Sequence, residues 1–266
     1  MRKIKRLLIA NRGEIACRIV ATCRAMEIET VTIFAGDDRD LPHARAGDTA
    51  VMLAGKNLAD TYLNIDQIIA VAQSAGADAI HPGYGFLSEN ARFAEAVTKA
   101  GLIFVGPPAE AVARMGDKAE SRELCQQIGV PVVPGYNPSL YDSVSAADFV
   151  TAADTIGYPV LVKAAAGGGG KGMRIVENVK DLKAALESAR SEAKNAFGDD
   201  RLLLEKYLTQ PRHIEVQIFS DTHGNHLHLF ERECSIQRRH QKIIEESPAC
   251  HLNDATRKRM FEAATM

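Results

Sequence analysis

The chain has 266 residues, 46% of them hydrophobic and 25% charged, with a formal net charge of −2. That is room for one large domain or two smaller ones with their own cores, and the near-neutral balance excludes a general electrostatic pull toward nucleic acid or an anionic membrane surface. Nothing approaching about 18 consecutive apolar residues occurs, and the apolar part of "MRKIKRLLIANRGE" is too short for a signal peptide, so neither a membrane span nor a secretory leader is expected.

In chain order, "IKRLLIA" reads as a short apolar strand. "GEIACRIVATCRAM" follows as a helix with a stripe of Ile15, Ile19 and Cys23, and "ETVTIFA" as the next strand. This is a βαβ opening, but Gly13 stands alone where a dinucleotide motif needs three glycines, so a Rossmann-type scaffold without Rossmann dinucleotide chemistry is expected. "NIDQIIAVAQSAG" reads as a helix stopped by Gly76. "ADAIHPGYGFLSEN" reads as a strand, a turn-rich loop and a helix start near Glu89 capped by Ser88. With "GLIFVGPP" as a further strand, the alternation predicts a parallel α/β sheet up to about Gly106.

The character changes at Ile128 to Ser145, where prolines and glycines mark a connection between substructures. Then comes "YPVLVKAAAGGGGKGMRIVEN". A P-loop needs a glycine at Ala165 and a hydroxyl at Gly172, and both are missing. Gly167, Gly169 and Gly172 satisfy G-x-G-x-x-G, but that motif must open a helix, whereas "MRIVEN" reads as a strand. A glycine-rich hairpin whose backbone N–H groups cover phosphate fits better than a strand-to-helix turn; a plain surface turn is the other reading. A helix "DLKAALESARSEAKNAF" follows, then strands "RLLLEKYL", "RHIEVQIFS" and "NHLHLFERE", the last two joined as a hairpin through "DTHG". The second half is therefore expected to be α+β and largely antiparallel.

Several side chains are candidates for chemistry. Lys163 ends the strand before the glycines and is poised to reach phosphate, or else snorkels at the surface. Lys118 in "MGDKAESR" opens a helix whose dipole attracts anions, or is a solvated lysine. Glu205 and Lys206 close an apolar strand whose backbone suits an adenine edge, or form an ordinary strand end. Arg238, Arg239, His240 and Lys242 sit in the polar-dense Phe230–Pro248 segment, whose mixed charges suit a phosphate or small carboxylate rather than nucleic acid. His226 and His228 alternate on one strand and are expected on one solvated face; a metal site there lacks a third ligand. Cys17, Cys23, Cys125, Cys234 and Cys250 are odd in number and include no C-x-x-C pair, so they read as reduced thiols of a cytoplasmic-type compartment.

Taken in order, "LIANRGEIACRI", "HPGYGFLSEN", "MGDKAESR", "YPVLVKAAAGGGGKGMR", "LLLEKYL", "PRHIEVQ" and "ERECSIQRRHQKIIEESP" resemble biotin carboxylase, a member of the ATP-grasp superfamily. The resemblance implies an α/β fold. A Rossmann-like pre-ATP-grasp domain would cover residues 1–115, and an incomplete α+β ATP-grasp domain residues 116–266, with a glycine-rich lid at about 132–206. It implies that Lys118 and Lys163 contact the ATP phosphates with backbone help at Gly169 and Gly170. Glu205, Lys206, Tyr207 and Leu208 would line the adenine pocket, and His213, Gln237 and His240 would complete the nucleotide site. Lys242 would hold bicarbonate and Tyr84 would approach biotin. Ala166 stands where some relatives carry a fifth glycine, and Lys171 where arginine is common.

The implied reaction is ATP- and Mg²⁺-dependent carboxylation of biotin by way of carboxyphosphate. The implied partners are a biotin carboxyl carrier domain or protein, a carboxyltransferase subunit and a second copy of the chain, with no nucleic acid and no membrane. In the family the magnesium-binding glutamates, a bicarbonate-clamping arginine and the catalytic base lie further along. The chain therefore reads as an N-terminal portion with no metal ligands of its own, and the final acceptor, an acyl-CoA or pyruvate, is not encoded in it. Two other readings stand beside this one: a different ATP-grasp carboxylate ligase, and a non-catalytic nucleotide-binding or oligomerising fragment.

Overall fold

The computed structural model describes residues 3–138, 145–166, 172–238 and 241–266. Two compact units divide it, Met1–Gly116 and Asp117–Met266.

The first unit runs β1 (Arg6–Ile9), α1 (Gly13–Ala25), β2 (Glu29–Phe34), β3 (Thr49–Met52), α2 (Ile65–Ser74), β4 (Ala79–His81), α3 (Ala91–Lys99), β5 (Ile103–Phe104) and α4 (Ala109–Gly116). Its five strands form one parallel sheet in the order β3-β2-β1-β4-β5. Both faces are covered, which is why β1 reads as an unbroken apolar run instead of alternating. Leu7 and Ile9 turn to α1 and pack on Ala16, Ile19, Val20 and Cys23. Leu8 and Ala10 turn the other way, into a core with Ile68, Ala72, Phe93 and Val97. Of the expected α1 stripe, Ile19 and Cys23 are buried and Ile15 is half-buried. Gly76 ends α2 as expected, at φ +66°. The sheet carries one strand that the sequence pattern did not signal, β3, which lies at the edge with "TAVM" mostly exposed.

One expectation in this unit is corrected. The helix after "HPGYGFLSEN" starts at Ala91, not near Glu89, and Asn90 rather than Ser88 caps it, its side chain accepting from the Phe93 N–H at 3.0 Å. Buried Leu87 draws the preceding residues into a turn, closed by Ser88 N–H to the Gly85 carbonyl (2.9 Å) and Asn90 N–H to the Leu87 carbonyl (3.1 Å). Ser88 is consumed in that turn before the helix begins.

The second unit runs α5 (Lys118–Gln127), β6 (Gly135–Tyr136), α6 (Ala146–Ile156), β7 (Val160–Ala164), β8 (Arg174–Val176), α7 (Val179–Phe197), β9 (Leu202–Lys206), β10 (Ile214–Ser220), β11 (His226–Arg238), β12 (Gln241–Glu246) and α8 (Asp254–Thr265). An antiparallel sheet in the order β6-β9-β7-β8 carries α6 and α7 on one face, with Phe149, Val160, Val162, Leu182, Leu186, Leu202 and Leu204 in the core between them. β7 and β8 pair antiparallel, Val160 opposite Val176 and Val162 opposite Arg174, as the two arms of a hairpin must. The glycines between them, residues 167–170, lie outside the described residues. At the other edge Gly135 allows a close approach: a Cβ there would stand 2.5 Å from the Leu204 carbonyl oxygen and 2.9 Å from Arg122 Nη2.

The remaining strands form a second antiparallel sheet, β10-β11-β12. β11 extends past the expected "NHLHLFERE" to Arg238, and the polar-dense stretch after it returns as β12. The β10–β11 hairpin is interrupted by a register shift between Val216 and Ile218. His226 is exposed as expected, but His228 is only partly so: its ring stacks on Phe261 of α8, centroids 3.9 Å apart. A helix 33 residues downstream in sequence covers that face, which strand alternation cannot foretell.

Replacing Asn90 with Ala should destabilise the first unit by about 1 kcal/mol, while Ser88→Ala should change stability by less than about 0.5 kcal/mol. Urea denaturation followed by circular dichroism distinguishes the two; equal losses would contradict the cap assignment.

Candidate active site

The second unit gathers most of the candidate residues into two clusters. In β7, period-two alternation sends Val160, Val162 and Ala164 to the helices and leaves Leu161 and Lys163 on the opposite face. In β9 the same rule leaves Leu203 and Glu205 on that opposite face. Lys163 Nζ therefore meets the Glu205 carboxylate and donates to Oε2. The other oxygen, Oε1, accepts from Arg122 Nη1 at 3.3 Å, and Arg122 is only 7% exposed. Its second Nη reaches the Val133 carbonyl.

Arg122 lies one turn after Lys118 in α5. That helix opens at Lys118 because Asp117 caps it, accepting from Ala119 N–H (2.8 Å) and Glu120 N–H (3.1 Å). Asp117 is itself held by Arg201 at 2.9 Å. Burial, then the like charge of Lys163, pushes the Lys118 ammonium below its ordinary range, with Asp117 and Glu205 pulling the other way. Lys118 N–H donates to the Ala165 carbonyl at 3.4 Å, two residues past Lys163, so the strand end and the helix start bring the two lysines close to each other. The first N–H groups of α5 are already taken by Ala165 and Asp117, and the two ammonium groups are what would attract an anion.

At the end of β9 the backbone is committed. Glu205 lies between Gly135 of β6 and Leu161 of β7. Lys206 N–H donates to the Pro134 carbonyl (2.8 Å), and its ammonium to the carbonyls of Gly157 (2.9 Å) and Tyr158 (2.8 Å). Tyr207 N–H donates to the Pro159 carbonyl (3.0 Å), and Leu208 is the first exposed residue beyond. The N–H groups of Lys206 and Tyr207 are thus taken within the sheet and its flanks.

The second cluster is built on β10, β11 and β12. Register places Gln237 opposite Lys242. Gln237 Nε2 lies 2.7 Å from His213 Nδ1 and donates to the Cys234 carbonyl at 2.8 Å. At the centre is Glu215 of β10, two residues after His213, which stands just ahead of the strand. It meets Lys242 Nζ, Arg232 Nη2 at 2.9 Å and His213 Nε2 at 3.3 Å. Burial alone would raise the Glu215 carboxyl, but Lys242 and Arg232 outweigh it and hold it below the ordinary range; the same bond raises the Lys242 ammonium.

Tyr84 belongs to the first unit, in the loop after β4. It is 61% exposed, and its phenol donates to the Glu14 carboxylate. Gly169, Gly170 and His240 lie outside the described residues. Among the described residues no group of three His, Cys, Asp or Glu is placed to hold a metal ion. Sequence reasoning passed over Arg122, Glu215 and Arg232. Arg122 had a signal, its i,i+4 spacing from Lys118, and so did Glu215, which alternates with His213; Arg232 had none before the strand register was known.

Comparison with known proteins agrees with this architecture. Residues 117–266 match the family model of the carbamoyl-phosphate synthase L chain ATP-binding domain, and residues 3–112 that of the biotin carboxylase N-terminal domain. The fold and site thus define a protein of the ATP-grasp class. The chain belongs to the biotin carboxylase family. It is similar to the propionyl-CoA carboxylase alpha chain of Ruegeria pomeroyi, 50% identical over 259 residues, 97% of this chain and 38% of that one. Among solved structures it is similar to a biotin carboxylase–beta-gamma-ATP complex from Campylobacter jejuni (TM-score 0.94, 49% identity, 99% of this chain and 58% of that one). It is also similar to the biotin carboxylase domain dimer of Hydrogenobacter thermophilus 2-oxoglutarate carboxylase with MgADP, ADP and bicarbonate (TM-score 0.93, 45% identity, 100% and 58%). The chain spans less than two thirds of the length of these relatives.

Glu205→Gln should destabilise the second unit by roughly 1.5–3 kcal/mol, because it leaves Arg122 and Lys163 without their shared carboxylate in a half-buried site. Chemical denaturation measures the loss; a change below about 0.5 kcal/mol would mean that the bridge holds nothing together.

Proposed function

We propose that this chain binds ATP and contributes to bicarbonate-dependent carboxylation of biotin. The observation that carries the reading is the approach of Lys163 to Lys118 at the N-terminus of α5, a like-charge juxtaposition that a polyphosphate relieves. Charge develops on phosphate oxygens when bicarbonate attacks the γ-phosphate, and pre-placed cations offset it without reorganising. Lys118 and Lys163 take that role, with the backbone around Gly169 and Gly170. Residues 205–208 flank the base, and His213, Gln237 and His240 complete the nucleotide site. Lys242, oriented by Glu215, holds bicarbonate, and Tyr84 meets biotin.

In this reading residues 1–115 and 116–266 are the two domains, and about 132–206 form a lid that keeps water from the reacting groups. Mg²⁺ would screen the phosphate charge, but the described residues supply no ligand cluster for it and no step is derived through it. Similarity to the MgADP and bicarbonate complex of the Hydrogenobacter domain supports the ligand set. That domain's dimer supports self-association, and the carboxylase relatives support a biotin carrier and a carboxyltransferase as partners. The five thiols are free and no helix among the described residues is long and apolar enough to cross a membrane; with these the reading adds a cytoplasmic location.

Lys163→Gln should weaken ATP binding roughly tenfold or more in calorimetric titration, the worth of one charge-assisted hydrogen bond. Lys242→Ala should abolish bicarbonate-dependent ATP hydrolysis while ATP still binds. Unchanged nucleotide affinity in the first variant, or loss of ATP binding in the second, would overturn the respective assignment. ATP binding by the native protein without bicarbonate-dependent hydrolysis would favour a non-catalytic nucleotide-binding module.

A further inference from the structure

We propose that Asn11 and Glu14 are positioning residues for Tyr84, the loop after β1 holding the loop after β4 so that the tyrosine presents its phenol oxygen as a hydrogen-bond acceptor. The inference rests on the reading of Tyr84 as a contact to biotin.

Topology brings the two loops together. The order β3-β2-β1-β4-β5 reverses direction between β1 and β4, so their carboxyl ends lie side by side. In parallel sheets that crevice is where ligands bind. Residues 10–14 leave one strand there, and residues 82–86 leave the other.

Asn11 ties them. It is 4% exposed, and its carboxamide donates to the carbonyls of Pro82 (2.7 Å) and Tyr84 (2.8 Å) while accepting from Arg12 N–H (2.9 Å). Both N–H groups are spent on the backbone that flanks the tyrosine. Gly83 makes room for this amide: it sits at φ +66°, and a Cβ there would stand 2.7 Å from Asn11 Nδ2. Its own N–H donates to His81 Nδ1 at 3.0 Å.

The far end of the loop is pinned as well. Phe86 is held at φ +41°, a conformation that residues with a side chain seldom adopt, and its ring stacks on Tyr62 with centroids 5.2 Å apart. Tyr62 in turn donates to Asp38 (2.7 Å), which pairs with Arg12 at 3.2 Å. Tyr84 is therefore exposed at its ring but fixed at its backbone.

Glu14 settles the ring. It lies in the first turn of α1 and accepts the phenol proton. That hydrogen bond is the main reason the phenol pKa lies above its ordinary value. An exposed bond of this kind adds little to stability, but it directs the O–H away from incoming substrate. The oxygen lone pairs are left to accept from an N–H donor, the group a cyclic urea such as biotin offers.

The test uses the native protein with free biotin as substrate. Glu14→Ala should raise KM for biotin roughly fivefold, the worth of one neutral hydrogen bond, with KM for ATP unmoved. In ¹³Cζ-tyrosine NMR the titration midpoint of Tyr84 should fall in the same variant, a change that a purely structural role would not produce. Asn11→Ala should raise KM for biotin further where it folds. If Tyr84→Ala raises KM for biotin but Glu14→Ala moves neither KM nor the midpoint, the brace is overturned and the biotin reading stands. If Tyr84→Ala itself leaves KM for biotin unchanged, the biotin reading of Tyr84 fails and the proposal falls with it.

Discussion

The second unit depends on a single carboxylate with two cations. Glu205 stands half-buried in an internal strand, where an unpaired charge would be costly. It is satisfied by Arg122 from α5 and Lys163 from β7. Three elements distant in sequence are thereby drawn together, and the N-terminus of α5 is held beside the strand that leads into the glycine run. A lysine has three donors, so the bond to Glu205 uses one and steadies the rest. The arrangement gathers positive charge before any ligand is present, which is the preorganisation that anionic chemistry requires.

Glu215 repeats the device in the other sheet. Lys242 from β12, Arg232 from β11 and His213 from just ahead of β10 converge on it. A cation held by a carboxylate keeps its place and its charge, as the raised Lys242 ammonium shows. In the first unit the same work is done without charge. Asn11 spends both amide protons on carbonyls of a neighbouring loop, and a glycine gives it the space. All three arrangements fix one candidate side chain by means of a second residue that binds it.

Much of the fold was legible because its physics is local. β1 read as a strand covered on two faces from its unbroken apolar run, and α2 ended at Gly76 because that residue takes a positive φ. The glycine run was told from a P-loop and from a dinucleotide motif by the residues around it, and its flanks pair as hairpin arms. The helix start at Ala91 was misread because two residues, Ser88 and Asn90, both suit a cap; buried Leu87 decides between them. β3 and β12 escaped notice for a different reason. β3 is short and pairs in parallel with β2 across an intervening loop, and β12 is a polar strand folded back on β11, so neither carries the apolar alternation that marks a strand.

The sequence by itself determined the class of the protein, the candidate cations and their elements, because motif spacing, glycine placement and apolar periodicity are properties of neighbouring residues. The tertiary structure alone decided which charge meets which: Glu205 with Arg122 and Lys163, Glu215 with Lys242 and Arg232, Asn11 with the Tyr84 loop, His228 beneath Phe261. Those pairings follow from strand order and register. Register is settled by the packing of whole faces against one another, and a linear pattern records which residues share a face but not what that face will meet.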